Sequence, residues 1–383
     1  MSFDTPERQI LWQTARRFVE REVRPHLAEW ERVGEVPRSL HRRAADIGLL
    51  GIGFPEQVGG SGGDFVDVAV MTEAMIEAGA SSGLIAALFT HGIALPHLVA
   101  AGDEAQIDRW ARPTLAGEMI GSLAVTEPDG GSDVAAIRTR ARRDGDWYVV
   151  DGAKSYITSG VRADFVTTAV RTGGPGHAGV SLLAIEKGTP GFTVSKKLDK
   201  MGWLCSDTAE LSLAECRVPV SHLVGAENAG FAQLARQFVS ERLSLAVQAY
   251  ATAQRCLDLT LAYVRQRETF GRPLISRQVV RHKLVAMRQR IELARAYTRG
   301  VILRLAAEPA AREHLVAEAC VAKNAATEAC DWVVDQAVQL HGGAGYMRES
   351  EVERHYRDAR IMGIGGGAAE ILTDLAARIW GYC

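Results

Sequence analysis

The stretch that organises this sequence is Ser122–Asp133, which reads Ser-Leu-Ala-Val-Thr-Glu-Pro-Asp-Gly-Gly-Ser-Asp. Its first residues are apolar and strand-like, and Pro128 then fixes one backbone φ angle. Gly130 and Gly131 follow, and two glycines let the chain turn tightly and approach a ligand closely. The stretch therefore predicts a loop with free main-chain N–H groups and hydroxyls, suited to the polar edge of a planar ligand. The same residues also occur in ordinary turns, so the loop alone does not decide a function.

Three further segments carry motifs that fit this loop. Lys154–Gly160 supplies a strand with an aromatic ring and hydroxyls, Arg267–Gly271 reads Arg-Glu-Thr-Phe-Gly, and Gln339–Gly343 reads Gln-Leu-His-Gly-Gly. Together, and in this order, the four segments strongly resemble those of the acyl-CoA dehydrogenases, and the resemblance covers essentially the whole chain. It implies a flavoenzyme that desaturates acyl thioesters between the α and β carbons.

Length, composition and charge set the broad class. The chain has 383 residues, enough for two or three domains, and its 47% hydrophobic and 23% charged residues are typical of a soluble globular protein. The formal net charge of -2 gives no reason to expect a nucleic acid or an anionic membrane as partner. The first residues lack the features of a signal peptide, and we expect no apolar run long enough to cross a bilayer.

The cysteines indicate a reducing compartment. None belongs to a Cys-x-x-Cys pair, and they are spread over a long chain, which favours free thiols over disulfides or zinc. The six are Cys205, Cys216, Cys256, Cys320, Cys330 and Cys383. We therefore expect a cytoplasmic protein without a metal site.

The period of the apolar residues changes twice along the chain. Residues 1–119 favour helices, with Thr5 and Pro6 as the first helix start; residues 120–226 favour short strands; residues 227–383 favour long helices. We predict an α+β fold: an N-terminal helical domain, a central β-sheet or barrel domain, and a C-terminal four-helix bundle. The resemblance implies the same architecture, the acyl-CoA dehydrogenase fold.

Individual elements follow from the same patterns. Predicted helices cover 66–78, 84–101, 104–116, 231–267, 278–305, 310–340 and 369–379. Predicted strands cover 147–150, 165–170, 180–185 and 209–213. Because glycines and charges separate the strands, we expect an antiparallel sheet or barrel.

The resemblance also implies the chemistry. A base removes the α proton, flavin N5 takes the β hydrogen with its electron pair, and donors aimed at the thioester oxygen stabilise its negative charge. Most relatives carry the base as a glutamate shortly after an Arg-Asp-Ala motif. Arg357–Ala359 matches that motif, but the base position is Gly366, which has no side chain.

A minority of the family, resembling isovaleryl-CoA and long-chain acyl-CoA dehydrogenases, places its glutamate in a bundle helix just before an arginine. Here Glu241 precedes Arg242, so the missing side chain at Gly366 and an acid at 241 occur together. We therefore expect Glu241 to be the base, with a pKa raised by burial toward about 6–7. Two alternatives remain open: Glu241 as a surface acid paired with Arg242, and Glu370 as the base.

The same resemblance assigns the substrate side of the site. The main-chain N–H of Gly366 would donate a hydrogen bond to the thioester carbonyl oxygen. Arg242 would support the structure around Glu241. Ser132 would contact the acyl-CoA, or would be a turn hydroxyl bonded to its own backbone. Gly365 and Gly366 lack the side chains that narrow the pocket of straight-chain relatives, so we expect a wider pocket near the α and β carbons.

The implied FAD-binding residues form three groups. The first loop and second strand give Leu123, Val125, Thr126, Gly131, Ser132, Tyr156 and Thr158, where Tyr156 shields the ring or is an ordinary core residue. A set that reaches a neighbouring subunit's pyrophosphate and adenine comprises Arg267, Thr269, Phe270, Gln278, Gln339 and Gly343. The start of the last helix adds Ala368, where relatives often have a threonine, and Glu370, which we expect to contact the cofactor. FAD binding then requires at least a dimer, and the resemblance implies a homotetramer.

The sequence thus predicts FAD-dependent α,β-dehydrogenation of an acyl-CoA to the trans-2-enoyl-CoA. The expected acyl group is branched or of medium to long chain, and the expected electron acceptor is an electron-transferring flavoprotein or a similar protein. Three alternatives stay open: an acyl-carrier protein in place of CoA, a flavin oxidase on the same fold, and a non-catalytic helical scaffold.

Overall fold

A computed structural model of the chain describes residues 2–382, apart from the side chain of residue 311. The N-terminal part is helical, as predicted. Its helices are α1 Pro6–Phe18, α2 Leu27–Val33, α3 Arg38–Asp46, α4 Phe65–Glu77, α5 Ser82–Leu88, α6 His91–Ala101, α7 Glu104–Gln106 and α8 Arg112–Leu115. Helix α1 begins where the sequence indicated, because Thr5 Oγ1 accepts a hydrogen bond from the N–H of Arg8 at 3.3 Å.

Two helices that the sequence predicted as continuous are interrupted. The run 84–101 divides into α5 and α6 at Thr90, whose hydroxyl donates to Ala86 O at 2.6 Å and lies 2.7 Å from Ser159 Oγ in the β domain. A threonine that bonds back to its own turn and to another element competes with a regular helix. The run 104–116 divides at a wide turn over Ile107–Ala111 because Pro113, just beyond it, cannot donate a helical hydrogen bond.

The segment Ser82–Ala101 corrects a second expectation. It is long enough and apolar enough, by length and composition alone, to cross a membrane, whereas the sequence analysis expected no such run. In the structure 56% of an apolar 18-residue window within this segment is buried inside the molecule. Burial of that kind is typical of a core segment, and Pro96 and the break at Thr90 interrupt its helix.

The central part is one mixed sheet. Its strands are β1 Gly121–Ala124, β2 Arg140–Asp144, β3 Trp147–Thr158, β4 Phe165–Arg171, β5 Val180–Glu186, β6 Phe192–Lys197 and β7 Thr208–Pro219. The order is β1-β4-β2-β3-β7-β6, with β5 paired to β4. The pairing is not purely antiparallel as predicted, because β1 runs parallel to β4 and β2 makes one parallel pair with it. The sequence missed β2 and β6, whose exposed arginines and lysines hide the strand pattern.

The C-terminal part is a helical bundle. Its elements are α9 Gly230–Gln266, the short strands β8 Glu268–Thr269 and β9 Arg272–Pro273, then α10 Gln278–Ala307, α11 Val316–His341, α12 Glu351–Ala359 and α13 Ala369–Ile379. The fourth predicted helix, α13, has 11 residues, against 37, 30 and 26 for α9, α10 and α11. Apolar residues of α1, α4, α9, α10 and α11 share the largest core cluster. Helix α9 therefore has neighbours on most sides, which makes it a rigid support for a site.

The described cysteines are free thiols, as predicted. All five are buried, and burial raises the pKa of the Cys216 thiol to about 11 and that of Cys256 further. Such thiols stay protonated at neutral pH, so they pack as small apolar residues. Cys383 lies outside the described residues.

Candidate functional site

The loop at 122–133 and the end of β3 lie side by side. Ser122 Oγ donates to Thr158 O at 2.6 Å, and the N–H of Ser155 donates to Thr126 O at 2.9 Å. These bonds bring together the loop residues Leu123, Val125 and Thr126 and the strand residues Tyr156 and Thr158. Gly131 and Ser132 are exposed at the tip of the loop. The two segments therefore form one continuous surface.

Tyr156 projects from this surface. The pairing of β3 with β7 shifts register between Lys154 and Ile157, and Tyr156 has a φ of 60°, which is unusual for an aromatic residue. Its side chain is 70% exposed. The alternative that Tyr156 is an ordinary core residue is therefore wrong, and strained, exposed residues of this kind cluster at functional sites.

A buried ion pair fastens the loop to β3. Lys154 is fully buried, and its Nζ lies 2.8 Å from Glu127 Oε1 and 3.0 Å from Val125 O. Glu127 also accepts the N–H groups of Arg138 at 2.6 Å and Thr139 at 2.9 Å. Burial lowers the pKa of Lys154 to about 8, whereas the pKa of Glu127 is lowered because the lysine and the hydrogen bonds outweigh burial. No role was predicted for either residue, although Glu127 lies in the motif 122–133 and Lys154 in the motif 154–160.

Glu241 on α9 faces the turn Gly365–Gly367. A Cβ atom at Gly366 would lie 3.7 Å from Glu241 Oε1. The Glu241 carboxyl therefore lies next to Gly366, the position at which most relatives carry the glutamate. Glu241 is partly buried, and burial raises its pKa against the opposing charges of Arg242 and Lys323. The alternative of an ordinary surface acid does not fit this environment.

Leu245 occupies part of the space beside Glu241. It follows Glu241 by one helical turn and so shares its face of α9. Its Cδ1 lies 2.5 Å from the Cβ position at Gly366. The glycines therefore do not simply widen the pocket, as the sequence analysis expected, because Leu245 fills some of the volume. The four-residue spacing could have indicated that Leu245 shares a face with Glu241, but not that it contacts Gly366.

This contact makes a prediction about Gly366, whose φ is 65°. Gly366→Ala should lower the free energy of unfolding by about 2–4 kcal/mol, since a methyl group adds backbone strain and collides with Leu245. Gly365→Ala is the matched control: its Cβ would meet only Ile361 O, at 3.5 Å, so it should cost less than about 1 kcal/mol. Denaturant unfolding of both variants measures the difference, and equal values would contradict the packing described.

The remaining residues around Glu241 differ in exposure. Arg242 is buried, its Nε has no hydrogen-bond partner among the described residues, and its guanidinium lies 5.6 Å from the centre of the Phe238 ring. Ala368 is the residue before α13, and Glu370 in the first turn of that helix is exposed. Glu370 is therefore open to solvent, whereas Glu241 is partly buried.

A second set of predicted residues lies where α9 and α11 end together. The rings of Tyr263 and His341 stack at 4.3 Å, and Tyr263 Oη donates to His341 O at 3.2 Å. Arg267 follows α9 directly, whereas Gln339 and Gly343 lie at the end of α11, so the stack places them in one region. Gln278 begins α10 and is exposed.

The hairpin β8–β9 presents Phe270 at its tip. Phe270 has a φ of 51° and Gly271 a φ of 73°, which is the backbone of a tight hairpin turn. Thr269 is held by Arg277, whose Nη2 donates to Thr269 O at 2.8 Å. The Phe270 side chain is 95% exposed. Among the described residues no hydrogen bond joins this second set to the loop at 122–133 or to β3, so one chain presents two separate surfaces.

Comparison with known proteins gives matches over the whole chain. Three family models match in order: acyl-CoA dehydrogenase N-terminal domain over residues 5–118, middle domain over 122–216 and C-terminal domain over 228–380. The chain is 37% identical over 381 residues to the probable acyl-CoA dehydrogenase YngJ of Bacillus subtilis, covering 99% of both. It is 38% identical to the mitochondrial long-chain specific acyl-CoA dehydrogenase of Sus scrofa, covering 97% of this chain and 86% of the relative. The solved structure of a probable acyl-CoA dehydrogenase from Mycobacterium abscessus has 64% identity and a TM-score of 0.96, covering 98% of this chain and 99% of its own.

Proposed function

Because the chain belongs to the acyl-CoA dehydrogenase family, whose members are FAD-dependent oxidoreductases, we propose that it desaturates an acyl-CoA to the trans-2-enoyl-CoA with Glu241 as the base. The observation that carries the proposal is the 3.7 Å between Glu241 Oε1 and the Cβ position at Gly366. An acid from α9 thus stands beside the position from which most relatives act.

The residues of the first surface fit a flavin. The exposed Tyr156 ring can cover a planar ring system, and the loop beside it offers the main-chain N–H of Gly131 and the hydroxyls of Thr126 and Ser132. Leu123, Val125 and Thr158 complete this surface. FAD, when bound, supplies the acceptor for the β hydrogen and its electron pair.

The chain's own residues handle the proton and the thioester. Glu241 in its carboxylate form takes the α proton at one of its Oε atoms, and the pKa raised by burial makes it a stronger base than an exposed glutamate. The main-chain N–H of Gly366 donates to the thioester oxygen as negative charge develops there. Leu245 lies on the same face of α9 as Glu241, and the guanidinium of the neighbouring Arg242 lies 5.6 Å from the centre of the Phe238 ring.

The second surface supports assembly from several copies. Phe270 is 95% exposed at a rigid hairpin tip, beside the exposed Arg267 and near Gln339 and Gly343. An apolar ring so exposed is suited to contact with another chain, and arginine is suited to a pyrophosphate. The proposed assembly is a homotetramer in which this set serves the flavin of a neighbouring subunit. The proposed electron acceptor is an electron-transferring flavoprotein.

The proposed substrate carries a branched or a medium- to long-chain acyl group. Gly365 and Gly366 carry no side chains toward the reacting carbons, while Leu245 limits the space beside them. The printed name of the Sus scrofa relative, a long-chain specific enzyme, agrees with the longer end of this range.

A panel of acyl-CoAs added anaerobically to the purified holoenzyme tests this function. The flavin absorbance should bleach with branched or medium- to long-chain acyl-CoAs at least about tenfold faster than with the straight four-carbon acyl-CoA, because burial of further methylenes strengthens binding. Lack of bound flavin would favour the scaffold alternative. Steady oxygen consumption with substrate would favour an oxidase, and bleaching only by acyl-carrier-protein thioesters would reassign the carrier.

A further inference from the structure

A buried lysine lies behind the turn Gly365–Gly367. Lys323 comes from α11 and is 0% exposed, and its Nζ donates to Gly367 O at 2.6 Å. A fully buried ammonium group is costly, since it loses its hydration and must find compensating charges or acceptors. A neutral donor could satisfy one carbonyl at a lower cost, so the hydrogen bond alone does not explain a charge here.

The neighbouring residue already supplies a neutral link. Asn324 Nδ2 donates to Ala369 O at 2.9 Å and to Thr373 Oγ1 at 3.1 Å, which fastens the start of α13 to α11. Lys323 and Asn324 therefore bind the two ends of the short segment Gly367–Ala369, which leads from the glycine turn into α13. Only the lysine adds a positive charge.

The charge and the proposed base meet the same turn, since Lys323 Nζ bonds Gly367 O and Glu241 Oε1 lies 3.7 Å from the Cβ position at Gly366. The titratable and charged groups near Lys323 are Glu241 and Arg242 on α9, Cys320 on α11 and the exposed Glu370 on α13. Burial and, to a smaller extent, the charge of Arg242 lower the pKa of Lys323 to about 8, although Glu241, Cys320 and Glu370 oppose that change. Burial raises the pKa of Glu241, and the positive charges of Arg242 and Lys323 partly offset that rise. Among the described residues none donates a hydrogen bond to the Glu241 carboxyl, so nearby charge is what favours its ionised form.

We propose that Lys323 is a positioning residue for the dehydrogenation: its ammonium group holds the turn that carries the Gly366 N–H and keeps Glu241 ionised for proton abstraction. This inference rests on the proposed role of Glu241. It assigns the lysine two effects, on the geometry of the turn and on the charge of the base, and only the second depends on pH.

The test compares Lys323→Met with Asn324→Ala in the flavin-loaded protein. Removal of the positive charge disfavours the carboxylate, so in Lys323→Met the acid limb of the anaerobic bleaching rate should move up by about one pH unit. At a pH below that limb the rate should fall about tenfold. Asn324→Ala removes a neutral link from the same connection and should leave the midpoint of the limb in place.

A second readout does not depend on turnover. The carbonyl stretch of protonated Glu241, identified as the infrared band missing from Glu241→Gln, should titrate about one pH unit higher in Lys323→Met than in wild type. Lys323→Gln keeps a donor for Gly367 O without the charge, and it should show the same shift if Lys323→Met does not fold. An unshifted midpoint in the folded variant would overturn the role of Lys323. Rapid bleaching by Glu241→Gln would instead overturn the proposed base, so the two failures are distinguishable.

Discussion

Glu241→Gln is expected to slow anaerobic flavin reduction by acyl-CoA by about 10²- to 10⁴-fold, the usual contribution of a positioned general base. Glutamine keeps the shape of the side chain beside Gly366 but cannot accept the α proton. Because burial raises the pKa of Glu241, the wild-type rate should also rise with pH through that pKa, as the carboxylate forms. The variant should lose this acid limb while still binding acyl-CoA. Stopped-flow absorbance of the flavin between pH 5 and 9 measures both effects.

Glu370→Gln is the matched control for this prediction. Glu370 is also a glutamate near the glycine turn, but it is exposed in the first turn of α13. Its replacement should change the rate of flavin reduction by less than about tenfold. If Glu370→Gln abolished reduction and Glu241→Gln did not, the base would have to be reassigned to α13.

The order of elements and the family could be predicted because both depend on patterns within short stretches. Helical and strand periods gave the three parts of the chain, and four motifs gave the resemblance that the family models confirm. The interruption at Thr90 could not be predicted from α5 and α6 alone, since it involves Ser159 in the β domain. Strand β2 was missed because its alternating arginines face solvent and leave one apolar residue to mark the strand.

Those parts of the candidate site that lie within a sequence motif could be predicted, whereas contacts between distant segments could not. The proposed shift of the base from Gly366 to Glu241 rests on a missing side chain together with an acid on another helix, and both features are visible in the sequence. The contact of Leu245 with the glycine turn was not predicted, because it depends on how the turn Gly365–Gly367 packs against α9. No role was predicted for Lys154 or Lys323, because a lysine side chain is ordinarily exposed to solvent. Only the packing shows that both are fully buried.

Lys154→Met is expected to destabilise the β domain by about 3–5 kcal/mol, the cost of breaking a buried ion pair by removing one partner. Glu127 would remain 7% exposed, with the N–H groups of Arg138 and Thr139 but without its cation. The loop at 122–133 would lose one of its attachments to β3 and keep the bonds of Ser122 and Ser155, so the purified variant should retain less flavin and unfold at lower temperature. Lys187→Met, which replaces an exposed lysine directly after β5, is the control and should behave nearly as wild type, since it removes only one exposed hydrogen bond to Val161 O.

The double variant Lys154→Met/Glu127→Gln separates charge from packing. Most of the cost of the single variant is the uncompensated carboxylate, so neutralising Glu127 should recover part of the lost stability even though a second native residue is replaced. Thermal midpoints and flavin content of the single and double variants form the cycle. If the double variant were less stable than Lys154→Met, Glu127 would be held by its two main-chain N–H donors rather than by the lysine. The attachment of the loop would then depend on hydrogen bonds alone.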